Sequence, residues 1–181
     1  MKIGIYSGTF DPLTLGHLWV IEQAAELFDK VYVPLGFHPR KIPLLSEEER
    51  LKIVKKCCEH LHNVTITTLG KTNIAKFASQ HSLSSDTVSL IRGVRNETDF
   101  VYEYNICRMV ERWAKSINKK LHQIYLIPPE ELVSVSSSNI KTLCNDGRWE
   151  TVAKLVPSEV LSTLKYQYLE GSAAPYLQPM L

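Results

Sequence analysis

The chain has 181 residues, 44% of them hydrophobic and 22% charged, which suits one domain with a sizeable core. Its 21 basic and 19 acidic side chains leave a formal charge of +2, so no general affinity for nucleic acid follows and any basic character is local. No apolar run reaches the roughly 18 residues of a spanning helix, no signal-peptide pattern opens the chain, and Cys57, Cys58, Cys107 and Cys144 lack metal-ligand spacing. These features predict a soluble cytoplasmic protein with reduced thiols and no membrane contact.

Ile3-Gly4-Ile5-Tyr6 reads as a buried strand. The loop Gly8-Thr9-Phe10-Asp11-Pro12-Leu13-Thr14-Leu15-Gly16-His17 follows it. Leu18, Ile21, Ala25 and Phe28 then mark one face of a helix. Strand, glycine-bearing loop and helix start in that order form an anion site. Glycine lets backbone approach a phosphate, and the helix N-terminus offers unpaired N–H groups with a partial positive charge. The loop has neither the Gly-Lys-Ser/Thr close of a P-loop nor a GxGxxG pattern. It carries Thr9 and His17 instead, with Gly16 beside the histidine.

Val31 to Leu35 reads as a second strand, and glycine and proline punctuate the loop after it, Gly36 to Pro43. Arg40 and Lys41 there read as phosphate ligands or as a solvated basic loop. Ser46 to Glu49 is a capping box opening a helix with Leu51, Ile53, Val54 and Cys57 apolar. Asn63 to Leu69 is a third strand, Asn73 to Gln80 a short helix, and Val88 to Ile91 a fourth strand. Directly beyond it stands Arg92-Gly93-Val94-Arg95, whose two guanidiniums suit either phosphate or a salt bridge. Glu97 to about Asn118 is a long helix with Phe100, Tyr104, Met109, Val110 and Trp113 apolar, and Glu103 in its first two turns.

Gln123 to Ile127 is a fifth strand stopped by Pro128-Pro129. The run Ser136-Ser137-Ser138 then meets a helix start, where it suits a plain N-cap and a phosphate cradle about equally. Val160, Leu161, Leu164 and Tyr168 mark a last helix. The alternation predicts an α/β fold: a single domain over residues 1–169, Rossmann-like, with a doubly wound five-stranded parallel sheet and a loose tail at 170–181. Right-handed crossovers place the punctuated loops on one edge of that sheet. Thr9, His17, Lys41, Arg92 and Ser136 to Ser138 converge there.

Thr14-Leu15-Gly16-His17 behind Gly8-Thr9-Phe10-Asp11-Pro12 resembles the (T/S)-x-G-H motif of the nucleotidylyltransferases. With Pro39-x-Lys41-x-Pro43, Leu45-Ser46-x-Glu48-Glu49-Arg50, Ile91-Arg92-Gly93-Val94-Arg95, Asp99-Phe100-x-Tyr102-Glu103 and Val135-Ser136-Ser137-Ser138, the likeness narrows to the bacterial phosphopantetheine adenylyltransferases. The resemblance implies transfer of the adenylyl group of ATP to 4′-phosphopantetheine, with Mg²⁺. It implies Thr9, Lys41, Ile74 and Arg92 as acceptor ligands. ATP would meet Thr9, Phe10, His17, Gly93, Val94, Arg95, Glu103 and the segment Leu132, Val133, Ser134, Val135, Ser136, Ser137 and Ser138. Gly16 would leave room for the adenine.

The acceptor phosphate is already anionic, so alignment and charge stabilisation suffice. Cationic His17, Lys41 and Arg95 are the expected catalytic groups, with Thr9 as an orienting donor. His17 is expected to be dispensable for folding, since Gly16 and the loop set the helix start. The resemblance also implies a homohexamer and coenzyme A as a feedback inhibitor. Leu132-Val133-Ser134-Val135 departs from the family's Trp-Ser-x-Ile, and Gly70 to Ile74 departs near the pantetheine arm. The alternatives are a sibling enzyme for another phosphate acceptor, such as nicotinate mononucleotide or a cytidylyl acceptor, and a non-catalytic nucleotide-binding module.

Overall fold

The computed structural model describes residues 1–37 and 42–170. Five strands alternate with helices: β1 (Lys2–Ile5), α1 (Leu15–Leu27), β2 (Lys30–Leu35), α2 (Glu47–Cys57), β3 (Val64–Thr68), α3 (Ile74–Gln80), β4 (Thr87–Gly93), α4 (Glu97–Ser116) and β5 (His122–Leu126). Four further helices follow: α5 (Glu130–Val133), α6 (Ser137–Asn145), α7 (Trp149–Val152) and α8 (Ser158–Lys165). The last passes into a π-helical turn, Tyr166–Glu170. The single turns α5 and α7 have no counterpart in the sequence reading, because four residues are too short for a periodic pattern.

The strands pair in the order β3-β2-β1-β4-β5, all parallel. This is the doubly wound sheet expected from the alternation. Both faces are covered, so the strands read as nearly continuous apolar runs. Val31, Val33, Leu35 and Ile91 point to one side, against Val20, Ile21 and Ala24 of α1, Ile53 and Val54 of α2, and Ile140, Val160 and Leu164. Ile3, Ile5, Tyr32, Val88 and Leu90 point to the other, against Ala75, Phe77 and Ala78 of α3 and Val110 and Ala114 of α4. Burying one such side chain stabilises by roughly 1.5–3 kcal/mol. Helices of this length are marginal alone, so that burial holds them.

β4 is longer than its apolar run. Arg92 and Gly93 continue the ladder by pairing with Tyr125 and Leu126 of β5, so Arg92 is a strand residue and not a loop residue. Direction reverses between β1 and β4, and the crevice at the carboxyl ends of those strands is the switch point where open α/β sheets bind ligands. No described helix is long and apolar enough to cross a membrane. Of the expected loose tail at 170–181, Glu170 closes the π-helical turn and the rest lies outside the described residues.

Candidate active site

A cleft of about 630 Å³ opens at the switch point. The loop after β1 supplies Thr9 and Asp11, the start of α1 supplies Gly16 and His17, and β4 with its exit supplies Arg92, Gly93 and Arg95. Asp99 and Glu103 come from α4, and Leu132, Val135, Ser136, Ser137, Ser138 and Lys141 from the segment around α6. Two helix N-termini, of α1 and α6, therefore meet in one crevice, each with first-turn N–H groups that lack intrahelical partners.

The loop after β1 is held from below. Phe10 has a left-handed backbone (φ 47°), unusual for a residue with a side chain. Its ring is 1% exposed. It packs edge-on between Tyr6 (5.6 Å) and His17 (5.3 Å). A Cβ on Gly8 would come within 2.9 Å of that ring, so only glycine fits above it. Phe10 is thus a floor, and its ring does not line the cleft. Gly16 differs: a Cβ there would meet only ordinary contacts at 3.7–3.9 Å, so packing alone does not require glycine. Open cleft lies above it.

His17 closes a capping box with Thr14. The Thr14 hydroxyl accepts the His17 N–H (3.3 Å), and the Thr14 backbone N–H donates to Nδ1 (3.1 Å). A backbone N–H can only donate, so Nδ1 is an acceptor and the neutral ring carries its proton on Nε2. Burial, reinforced by the charge of Arg95, lowers the pKa from 6.5 to about 4. The imidazole is neutral near pH 7. The cationic state expected from sequence is corrected to a neutral ring with its proton on Nε2, and the ring also supports the helix start.

A stability signature follows. Because the folded pKa lies below the unfolded one, the unfolded chain takes up its proton first on acidification. The contribution of neutral His17 is complete above pH 6.5 and is lost progressively as pH falls toward about 4. Thermal unfolding between about pH 7 and pH 5 should therefore show a shallower acid loss in His17→Asn than in the wild type. Parallel curves would remove His17 as the cause.

Arg95, Arg92 and Lys141 are each held in a pair. Arg95 donates from Nε to Asp99 (2.7 Å) and from Nη1 to the Val135 carbonyl (3.1 Å), which ties the exit of β4 to the serine segment. Arg92 Nε lies 3.4 Å from Glu103 Oε2, yet neither buried atom makes a hydrogen bond among the described residues. Burial raises the Glu103 carboxyl while the Arg92 charge opposes the rise. Burial raises the Tyr6 hydroxyl too, assisted by Glu103. Lys141 pairs with Asp11, whose carboxylate also accepts the N–H groups of Leu44 and Leu45 (both 2.9 Å). Ser136 caps α6 by accepting the Asn139 N–H (3.1 Å), and the Ser137 hydroxyl donates to the Pro12 carbonyl (2.9 Å). The serine run is cap and cleft wall at once.

Thr9, His17, Arg92, Gly93, Arg95, Glu103, Leu132, Val135 and Ser136 to Ser138 are thus brought together. Val94 is buried beside the cleft, and Val133 and Ser134 stand in and after α5 without lining it. Ile74 is buried on α3 among Ile3, Ile5 and Tyr32, away from the cleft wall. Lys41 lies outside the described residues. Tyr6, Asp11, Arg50 and Lys141 line the cleft without having been assigned a role from sequence. Asp11 and Arg50 stand inside the motifs of the loop after β1 and of the start of α2, but the Asp11–Lys141 pair spans 130 positions and left no local signal.

Residues 5–143 match the family described as cytidylyltransferase-like. Phosphopantetheine adenylyltransferase from Haemophilus influenzae (strain 86-028NP) is 37% identical over 161 residues, 89% of this chain and 96% of that protein. The enzyme of that name from Proteus mirabilis (strain HI4320) is 36% identical over 166 residues, 91% and 95% of the two chains. Among solved structures, Plasmodium falciparum nicotinic acid mononucleotide adenylyltransferase complexed with NaAD matches at a TM-score of 0.67 and 15% identity, covering 92% of this chain and 97% of that one. Thermotoga maritima TmcAL bound with alpha-thio ATP matches at 0.60 and 14%, covering 92% and 55%. At such identities those structures speak for the fold alone. The chain belongs to the cytidylyltransferase-like family and, within it, to the phosphopantetheine adenylyltransferases.

Proposed function

We infer that the protein transfers the adenylyl group of ATP to 4′-phosphopantetheine, giving dephospho-coenzyme A and pyrophosphate. The observation that carries this reading is the meeting, at the switch point, of an N–H donor on His17, the hydroxyl of Thr9, two arginines and the serine-capped start of α6. An oxygen of the acceptor phosphate attacks the α-phosphorus in line. The bond from that phosphorus to the bridging oxygen breaks, and its electron pair leaves with pyrophosphate. An anionic nucleophile needs no general base. Catalysis then rests on alignment and on donors aimed at charge that grows during transfer.

Thr9 and Arg92 are proposed to hold the acceptor phosphate together with Lys41, and Ile74 to act from the core behind the acceptor arm. His17 Nε2–H, Arg95 and Ser136 to Ser138 are proposed to meet the ATP phosphates, with Phe10 and Val94 contributing backbone. Glu103 and the Leu132–Val135 segment are proposed to frame the nucleoside. The place of Gly16 in the cleft wall supports adenine there, as do the carbonyls of Leu132 and Val135 near it.

Mg²⁺ is proposed as the companion of ATP. Among the described residues no three His, Cys, Asp or Glu side chains converge to hold a metal. Asp11, Asp99 and Glu103 each face a cation of the chain itself. These residues fit an ion that arrives on the nucleotide with most of its waters, which Thr9 and Ser138 would meet. Bound there, it supplies neutralisation of phosphate charge.

A homohexamer is proposed as well, in the cytoplasm, with its four buried cysteines as free thiols. Apolar side chains stay exposed along α4: Phe100 and Tyr104 at 44%, Met109 at 39% and Trp113 at 40%. Such a face supports association with further copies in closed symmetry. Light scattering is expected to return a hexameric mass, lowered by Trp113→Glu. A monomeric wild type at micromolar concentration would reject the assembly. Coenzyme A, which shares both halves of the product, is proposed to inhibit by entering the same cleft. The deciding assay is pyrophosphate release with ATP or CTP against phosphopantetheine and nicotinate mononucleotide. Release above background only with ATP and phosphopantetheine is expected.

A further inference from the structure

Arg50 stands in the first turn of α2, inside the Leu45-Ser46-x-Glu48-Glu49-Arg50 stretch, and nothing above gives it a task. It is 4% exposed and is one of the residues lining the cleft. Among the described residues no carboxylate lies within salt-bridge distance of it, although every other cation at the cleft has one. A charge so deeply buried without a counter-ion is costly unless a ligand supplies one.

Its donors divide unevenly. Nε donates to the Leu45 carbonyl (3.2 Å), and Nη1 donates to the carbonyls of Thr9 (2.6 Å) and Gly36 (3.5 Å). That uses three of the five N–H groups of a guanidinium. The two on Nη2 have no protein partner among the described residues, and Nη2 is not among the sealed unsatisfied atoms. The anchoring carbonyls belong to three different pieces of cleft wall: the loop after β1, the end of β2 and the turn before α2. The Gly36 N–H also donates to the Gly8 carbonyl (2.8 Å), and Asp11 holds the Leu45 N–H (2.9 Å). The guanidinium is therefore fixed in place before any ligand arrives, which lowers the entropy lost on binding.

We propose that Arg50 is an additional phosphate-binding residue of this cleft: anchored through Nε and Nη1 to the carbonyls of Leu45, Thr9 and Gly36, it presents its remaining donor edge and its uncompensated charge to a phosphate oxygen of a bound substrate. This rests on the adenylyl-transfer reading only for the identity of the substrates. Because the same carbonyl bonds hold Thr9, the residue also sets the position of a proposed acceptor ligand. Two sources can supply the oxygen, the ATP polyphosphate and the acceptor's phosphate.

The test compares wild type, Arg50→Met and Arg50→Lys by calorimetric titration with inorganic pyrophosphate, ATP and 4′-phosphopantetheine, beside thermal unfolding of each free protein. A charge-assisted bond predicts a tenfold to hundredfold rise in Kd for Arg50→Met, on the order expected for one such contact. Arg50→Lys keeps the charge but cannot keep three anchors and a free fork, so it falls between. Loss for pyrophosphate and ATP assigns the edge to the polyphosphate, and loss for phosphopantetheine alone assigns it to the acceptor. Affinities within threefold of wild type for all three ligands, whatever the unfolding temperature, overturn the proposal and leave Arg50 a structural staple. Should Arg50→Met fail to fold, Arg50→Lys is judged by the same threefold limit. A wild type that binds pyrophosphate but does not turn over ATP with phosphopantetheine faults the functional reading alone. One that binds none of the three faults both.

Discussion

Turnover by the folded His17→Asn variant is expected to fall on the order of 10²–10³-fold, while the KM for ATP changes by less than about threefold. The asparagine oxygen can stand where Nδ1 accepts the Thr14 N–H (3.1 Å in the wild type), so the capping box survives and Nε2–H alone is lost. An interaction that strengthens only as charge grows on the transferring phosphate lowers kcat and leaves ground-state binding in place. His17→Ala removes the cap as well. Loss of a capping partner destabilises by about 1 kcal/mol, or roughly 2–4 °C in Tm for a chain of this length. Two variants at one position thus separate helix support from catalysis. Near-normal turnover by His17→Asn would end the donor role, whereas rescue by His17→Gln, whose amide N–H reaches toward the Nε2 position, would strengthen it.

Arg92→Ala is expected to weaken 4′-phosphopantetheine about tenfold to a hundredfold, and ATP by less. It should also destabilise the free protein. Arg92 and Glu103 are 9% exposed and part-buried, 3.4 Å apart, and the facing atoms have no other partner among the described residues. Removing one member of a buried pair typically costs about 3–5 kcal/mol, because the other charge stays behind. Here Glu103 offers partial relief: burial already raises its carboxyl, and without Arg92 it takes up a proton at a still higher pH. The double variant Arg92→Ala/Glu103→Gln should then regain much of the lost Tm and none of the acceptor affinity. Equal losses for ATP and acceptor in titrations would count against Arg92 as an acceptor ligand. A double variant no more stable than the single one would show that the pair is not what the charge of Arg92 serves.

The composition and period of the chain were enough for its architecture. Short β-branched and apolar runs spaced by amphipathic helices admit few solutions other than a parallel sheet covered on both faces, and the order β3-β2-β1-β4-β5 is the doubly wound one. The caps at Ser46 and Ser136 were local and therefore legible, whereas those at Asn73 and Asn96 came from the structure. The glycine loop with Thr9 and His17 marked the site for the same reason, since a strand, a tight loop and a helix start are neighbours in sequence.

What only the tertiary structure decided is how each polar group is held. The neutral state of His17 depends on burial and on Arg95, a residue 78 positions away that arrives with β4. Arg92 reads as a loop residue until β5 extends the ladder to it. The lock between Asp11 and Lys141, the floor made by Phe10 and the unpaired edge of Arg50 all arise where distant segments meet. Sequence determines local conformation through short-range sterics and periodicity. Protonation, pairing and orphaned charge are properties of an environment, and that environment exists only once the crossovers have brought the sheet's carboxyl edge together.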